Sequence, residues 1–565
     1  MKPVPYRRRY PTLVFTLLLL LTGMVARAQA PVWQRLDLVS QPSGSYSEVY
    51  ESAADASGNV FVTGYFVGTV TLGSTTLVSA GRSDLFVAKW SPAGNAFVWA
   101  LRAGGVGSET PYGIAASGGG VFVSGNFGAT ADFGTTVLPS TGSSDLFVTK
   151  IVDAGTSASF AWAQQAGGSL ASINGAKVAV SGNSVYVAGS FSGTVALGGI
   201  GLTSAGSSDI LVTKLTDLGT SAAFAWARRA GGSGLDQGID VAASGSNVYV
   251  CGYFNGTGDF GSTSLTAAGI SDFFVSRLTD AGTSGDFAWT RAAGAAGAES
   301  ATVVTANGNE VYVAGRFNSP GMALGNTVLS SAAGTSPLFV AKLLDVGSAT
   351  TFAWAQQSDG TGYAEPWGLK VSGTEVFLAG TFGGTTFFGA TTLVSAGSTD
   401  VFAAQLSSTG SPAFRWAVRA GGSYNDNGYG LALTGGRIYV GGTVLPPAAF
   451  GSFATAGAAS GSTGFLASLA AVGLAAGVPQ ALPGLSLAPN PAHGRATVQL
   501  PPMPGSTAAT LTLLDALGRA VHTAGVALPA AGLRHDLDLT GLAPGLYAVR
   551  VVMGGRTATR PLVVE

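Results

Sequence analysis

Histidine and cysteine are almost missing from this chain, with three of the first and one of the second in 565 residues. His493, His522 and His535 all lie near the C-terminal end, so the long stretch before them has no imidazole. Ser-His-Asp catalysis, Cys-His catalysis and His-ligated metal sites are thereby excluded from that stretch. Cys251 stands alone, so no intramolecular disulfide forms. It falls where sister segments carry Ala188 and Ala314 and reads as a small buried side chain. Stability must come from burying apolar area, at about 25 cal/mol per Å². Charge is scarce as well, at 10 % of residues with a net of -1. A nucleic-acid partner would need a clustered positive excess, which is lacking. Disorder is excluded by a hydrophobic content of 46 %.

Long apolar runs are equally rare. The stretch Leu13 to Ala26 follows Arg7, Arg8 and Arg9 and ends at Ala26-Arg27-Ala28, before Gln29. A basic start, a short apolar middle and a small-residue cleavage site predict a secretory signal peptide over residues 1–28. A membrane anchor wants nearer ~20 apolar residues. The Ala-rich run Leu466 to Gly477 is broken by Gly473 and Gly477 and reads as a strand leading into a linker. No transmembrane segment is expected in the mature chain.

Glycine, by contrast, is abundant at 85 residues, and the chain repeats itself. Trp99, Trp162, Trp226, Trp289, Trp354 and Trp416 are spaced by 63, 64, 63, 65 and 62 residues, each in a phrase F-x-W-A or close to it. A V-x-V-x-G-x-F phrase ends at Phe66, Phe127, Phe191, Phe254, Phe317 and Phe382, with a degenerate copy at Ile438 to Val444. An S-D phrase (T-D in one copy) supplies Asp84, Asp145, Asp209, Asp272 and Asp400, replaced by Pro337 and Thr463 in the other two copies. With a short apolar run before each V-x-V, every unit holds four strands separated by Gly, Ser, Asn and Thr turns, and nothing has helical period. The strands are apolar on both faces, as in Val185-Tyr186-Val187-Ala188, so both faces need covering. The seventh unit lacks a tryptophan strand, while an unpaired one, Val32 to Leu36, stands before the first unit. These patterns predict an all-β chain: a seven-bladed β-propeller over 29–477, closed by the N-terminal strand.

These phrases resemble the SBBP-type β-propeller repeat of secreted bacterial proteins, over about residues 31 to 472. The resemblance implies the fold and leaves the function open, since propellers host unrelated functions.

After a linker at 478–484 the pattern changes. Residues 485–565 show short alternating strands with Pro and Gly turns, predicting a small Ig-like β-sandwich. Three motifs follow in order: Pro489-Asn490-Pro491, then Asp515 with Gly518 and Arg519, then Gly545, Tyr547 and Arg550 in L-x-x-G-x-Y-x-V-R-V. They are similar to a type IX secretion C-terminal sorting domain. That resemblance implies the type IX machinery as a partner and passage through periplasm and outer membrane of a Bacteroidota-type cell. The protein is then expected to be secreted or held at the cell surface.

Recurrent aspartates of the S-D phrase sit at one position in five of seven units and read as turn closers, their carboxylates accepting backbone N–H groups. Asn425-Asp426-Asn427-Gly428 lacks the spacing of an EF-hand loop and reads as a surface turn. No cofactor and no metal site are expected. The segments joining each tryptophan strand to the next inner strand should share one face, and there the units differ. Tyr112, Asp236, Glu365, Trp367, Asp426 and Tyr429 are the candidate ligand-binding residues, since aromatic planes with carboxylates suit a glycan. Counting back from each V-x-V phrase puts Glu51, Tyr112, Ala176, Ile239, Thr302 and Tyr429 at the place of Trp367. From Gln29 to Gly477 there are 17 Lys+Arg against 25 Asp+Glu, a net of -8, which disfavours anionic polymers. The expectation is a non-enzymatic binding protein for an extracellular glycan or protein. The alternatives are a carboxylate-based polysaccharide lyase or glycosidase, and a purely structural matrix or adhesion module.

Overall fold

The computed structural model describes residues 30–455, 461–470, 486–500, 508–515, 520–527, 529, 532–553 and 556–565. The signal peptide expected at 1–28, the linker at 478–484, and Gly518 and Arg519 lie outside the described residues. Two compact units divide between Gly473 and Leu474. Among the described residues every element is a strand, and the sheets are small and antiparallel.

In the large unit, the repeated phrases become four-stranded antiparallel meanders. One example runs Ser172–Ser181, Ser184–Ser192, Asp209–Asp217 and Ala222–Gly232, in that spatial order. Six such meanders follow one another from Tyr46 onward. A seventh sheet joins Asn427–Thr434, Arg437–Val444 and Thr463–Ala470 to the strand Trp33–Leu38, which pairs antiparallel with Thr463–Ala470. Tryptophan in a strand buries a large apolar surface, and Trp99, Trp162, Trp226, Trp289 and Trp416 are all buried. Cys251 is buried among apolar side chains, as its alignment with Ala188 and Ala314 implies. Trp90 is buried in the same way against Tyr439, 5.3 Å between ring centroids.

An element with no phrase of its own in the repeat is a short hairpin between the second and third strands, such as Thr130–Phe133 with Thr136–Pro139. Its alternating side chains bury Ala131 and Phe133. The hairpin then pairs with Gly104 and Gly105 of the preceding unit, so it bridges two meanders and covers a sheet edge.

The S-D aspartates close turns. Asp84 and Asp272 accept the N–H of the residue four places earlier at 3.0 Å, and Asp400 does so at 2.7 Å. A second carboxyl from the next unit packs beside four of the five: Glu109 by Asp84, Asp236 by Asp209, Glu299 by Asp272 and Asp426 by Asp400. Both Asp209 and Asp236 come within 2.6 Å of where a Gly231 Cβ would stand, so a side chain there is sterically barred.

A latch between units is made by residues that the phrases only half revealed. Lys89 Nζ and Trp99 Nε1 both donate to Asp153 of the following unit, at 2.6 and 3.0 Å. Lys150 with Trp162 on Asp217, and Lys214 with Trp226 on Asp280, repeat those distances. Arg277 with Trp289 on Asp345 is the fourth copy, at 2.8 and 3.2 Å. Burial alone would raise these four carboxyls, but the donors outweigh it and hold them below the usual 3.8. A depressed carboxyl contributes stability above its unfolded pKa and loses it as pH falls through the folded value. Asp280 also accepts from Tyr186 at 2.7 Å, so Asp280→Ala takes this acceptor from three side-chain donors, of which Lys214 keeps only the Gly282 carbonyl. It should cost about 3–5 kcal/mol at pH 7 by urea titration. The difference from wild type should shrink on acidification below about pH 4.

The small unit has two antiparallel sheets. Ser486–Ala488, Arg495–Leu500 and Leu533–Asp538 form one; Ala520–Ala527, Ala508–Leu514, Gly545–Met553 and Arg556–Val564 form the other. Val498, Leu511, Leu513, Leu537, Val549, Val551 and Leu562 make a common core. Asn490 Oδ1 accepts the N–H of Val563 at 2.8 Å, tying the Pro-Asn-Pro turn to the last strand. Tyr547 donates its hydroxyl to the Ala543 carbonyl at 2.9 Å. Pro489, Asn490, Pro491, Gly545 and Arg550 are exposed, so core packing does not dictate them.

Candidate functional site

The glycine of V-x-V-x-G places the site. In the first unit Val49 pairs with Gly64 and Glu51 with Thr63, so Tyr50 has no partner: the inner strand bulges by one residue. The bulge brings the Glu48 carbonyl so close that a Cβ on Gly64 would stand 1.8 Å from it. Gly125, Gly252, Gly315, Gly380 and Gly442 face the same crowding, each within 2.2 Å. The repeat therefore keeps a glycine on one strand and frees a variable residue on the other.

The freed residues are Tyr50, Tyr112, Ile239, Thr302, Trp367 and Tyr429, with Gly175 and Ala176 in the third unit. Counting from V-x-V had put Glu51 in the first unit, and the register corrects this to Tyr50. Five residues separate Ala54 from Val60, whereas four separate Ala116 from Val121, so the longer turn shifts the count by one.

Four of these residues form a continuous aromatic chain. Trp367 meets Tyr429 edge-on at 6.4 Å, Tyr429 stacks on Tyr50 at 5.2 Å and 19°, and Tyr50 meets Tyr112 at 5.8 Å. Tyr65, on the neighbouring strand, lies 5.7 Å from Tyr50 and 6.1 Å from the exposed Tyr46. Tyr112, Trp367 and Tyr429 are thus brought together, while Tyr50 and Tyr65 join them unforeseen. All are half-buried except Tyr46.

Carboxylates flank the rings. Glu48 shares hydrogen bonds with Tyr65 and Ser462, and burial pushes its pKa up. Glu365 is paired with Arg316 at 2.8 Å, and burial raises it despite that cation. Burial also raises the Tyr50, Tyr65 and Tyr429 hydroxyls, with Glu48 adding to each.

Asp236 and Asp426 do not join this cluster, and here the sequence expectation is corrected. Both are fully buried between units. Asp236 accepts the N–H groups of Gly232 and Asn255 at 2.6 and 3.0 Å; Asp426 accepts those of Gly422 and Leu445 at 2.5 and 2.9 Å. Glu109 and Glu299 occupy the same place in their units, which marks the position as architectural. Burial raises Glu109 to about 8 and Asp426 to about 6, each with a neighbouring aspartate adding to the rise.

A cavity of about 420 Å³ is lined by the inner strands of all seven meanders, Trp367 among its residues. Lys177 pairs with Glu51, which belongs to a strand two units away, and lies near Asp240 of the next unit. Asp240 accepts the Val304 N–H at 2.9 Å, and burial, opposed by Lys177, raises it to about 6. The sequence signal for these three is weak: with Lys370 they are the charged residues among those lining the cavity. Among the described residues, no group of three His, Cys, Asp or Glu side chains is placed to hold a metal.

Residues 486–565 match the family described as "Secretion system C-terminal sorting domain". The tail is a type IX secretion sorting domain. The sorting domain indicates export, to the cell surface or the medium, with the type IX machinery as its partner. Among the described residues no helix is long and apolar enough to cross a membrane. No curated protein matches the chain. Among solved structures, a protein of unknown function from Dyadobacter fermentans DSM 18053 is 9 % identical over 78 % of this chain and 100 % of its own, at a TM-score of 0.33. Trypanosoma rangeli sialidase is 10 % identical over 84 % and 86 %, at 0.34. A Synechocystis apocarotenoid oxygenase mutant is 9 % identical over 68 % and 91 %, at 0.30. Alignments at such scores place neither a reaction nor a substrate on this chain.

Proposed function

We propose that this is an exported, non-enzymatic seven-bladed β-propeller of the SBBP type, which presents the aromatic cluster around Tyr50 to an extracellular glycan. Closure of the ring by the first strand is supported by its pairing with Thr463–Ala470 and by a cavity lined from all seven inner strands. Export then runs across the outer membrane of a Bacteroidota-type cell. The observation that carries the binding role is the aromatic chain from Trp367 to Tyr112. Its members come from bulge positions where other units tolerate Ala176 and Thr302, so blade packing does not require them. Partly exposed ring faces beside carboxylates stack on sugar rings and accept from their hydroxyls.

Trp367→Ala and Tyr429→Ala should each weaken glycan affinity by about 1–3 kcal/mol in titration calorimetry, with a ligand from an array screen. Neither should lower the melting temperature as much as Trp226→Ala, whose ring is buried and bonded to Asp280. Undiminished affinity in both, or a melting loss equal to that of Trp226→Ala, returns the cluster to a packing role. Turnover of any polysaccharide in the same screen would favour a carboxylate-based lyase or glycosidase instead.

A further inference from the structure

The aromatic cluster is one-sided. Trp367, Tyr429, Tyr50 and Tyr112 come from four consecutive units, the sixth, seventh, first and second, while the third to fifth offer Ala176, Ile239 and Thr302 at the same place. The rings therefore gather in a crescent, while Ala176 and Thr302 are buried and Ile239 is half-buried.

The charge beside this crescent is also uneven. Glu48 makes no ion pair among the described residues, and it adds to the rise of Tyr50, Tyr65 and Tyr429. Glu365 has Arg316, while Glu51 and Asp240 share the single Lys177. With Lys370, which also lines the cavity, four carboxyls face three cations, and Glu48 is the one without an ion pair. An anionic ligand would meet this excess, and a neutral sugar would leave Glu48 without a charged partner. A cation satisfies both halves of the site at once, since tyrosine and tryptophan faces attract ammonium groups within about 6 Å and a carboxylate adds its full charge.

Resting on the glycan-binding reading, we propose that the ligand carries an organic ammonium group, presented by an amino sugar, which seats in the aromatic crescent beside Glu48. The mature exported protein would be titrated with a glucosamine tetramer and with the same tetramer fully N-acetylated, below pH 6.5, where the amines are protonated. In a parallel pair, choline is compared with 3,3-dimethylbutan-1-ol, its uncharged counterpart of the same shape. The expected result is at least tenfold tighter binding of each cationic probe than of its neutral twin. Glu48→Gln should erase most of that preference while leaving the melting temperature near wild type. Tyr50→Ala should weaken both cations, and tryptophan fluorescence from Trp367 should respond to them in wild type. Equal affinity for the free and acetylated tetramers overturns the inference and leaves a glycan face standing. Binding of choline but of neither sugar keeps the ammonium site and removes the glycan. Failure of all four probes, or an unchanged preference in Glu48→Gln, overturns the cationic site.

Discussion

A chain lacking residues 29–40 is expected to lose cooperative melting or to melt far below wild type. Its first strand supplies five paired positions to Thr463–Ala470, from Trp33 opposite Leu469 to Leu38 opposite Phe465. Trp33 is buried, stands edge-on to Phe450 at 5.1 Å, and donates its indole N–H to the Arg419 carbonyl at 3.0 Å. Trp33→Ala alone should cost about 3–5 kcal/mol, as for other buried aromatics. Without the strand, Thr463–Ala470 becomes an open sheet edge, and aggregation should accompany the loss. Calorimetric melting of wild type, Trp33→Ala and the deletion decides the matter. Equal melting temperatures for wild type and the deletion would remove the closed seven-bladed ring.

Removal of residues 485–565 should leave the propeller folded and trapped in the periplasm. The sorting domain has its own core, and its motif residues are mostly exposed, so they are free to be read by secretion machinery. A point variant gives a finer test. Asn490→Ala takes away the acceptor of the Val563 N–H and loosens the Pro-Asn-Pro turn from the last strand, so surface delivery should fall. Fractionation into periplasm, outer membrane and medium checks both. Wild-type amounts of the truncated chain outside the cell would sink the assignment of this domain to export.

Much of the architecture was legible because repetition amplifies weak signals. One V-x-V phrase is ambiguous, but six or seven copies at nearly constant spacing define the strands, and the missing tryptophan strand of the last unit points to the first. The short hairpins have little signal in the sequence because each of their strands is four residues long or shorter, with at most two buried side chains. The latch was half visible. The tryptophans were obvious, whereas Asp153, Asp217, Asp280 and Asp345 are separated from them by more than fifty residues. Their shared signature, an aspartate two residues before a glycine that returns its N–H, is local and was there to be read.

The site divides along the same line. Sequence by itself determined which positions vary from unit to unit, and so brought Trp367, Tyr429 and Tyr112 forward; it also determined the absence of histidine chemistry and the address carried by the tail. Only the tertiary structure decided which of those variable residues meet. A single extra residue in one turn moved the first unit's contribution from Glu51 to Tyr50, because a bulge frees one particular residue from the ladder. Asp236 and Asp426 looked as exposed as their neighbours in the sequence, yet backbone N–H groups from distant loops draw them inside. The pairing of Lys177 with Glu51, 126 residues apart, has no local signature, since only the convergence of the inner strands brings the two together.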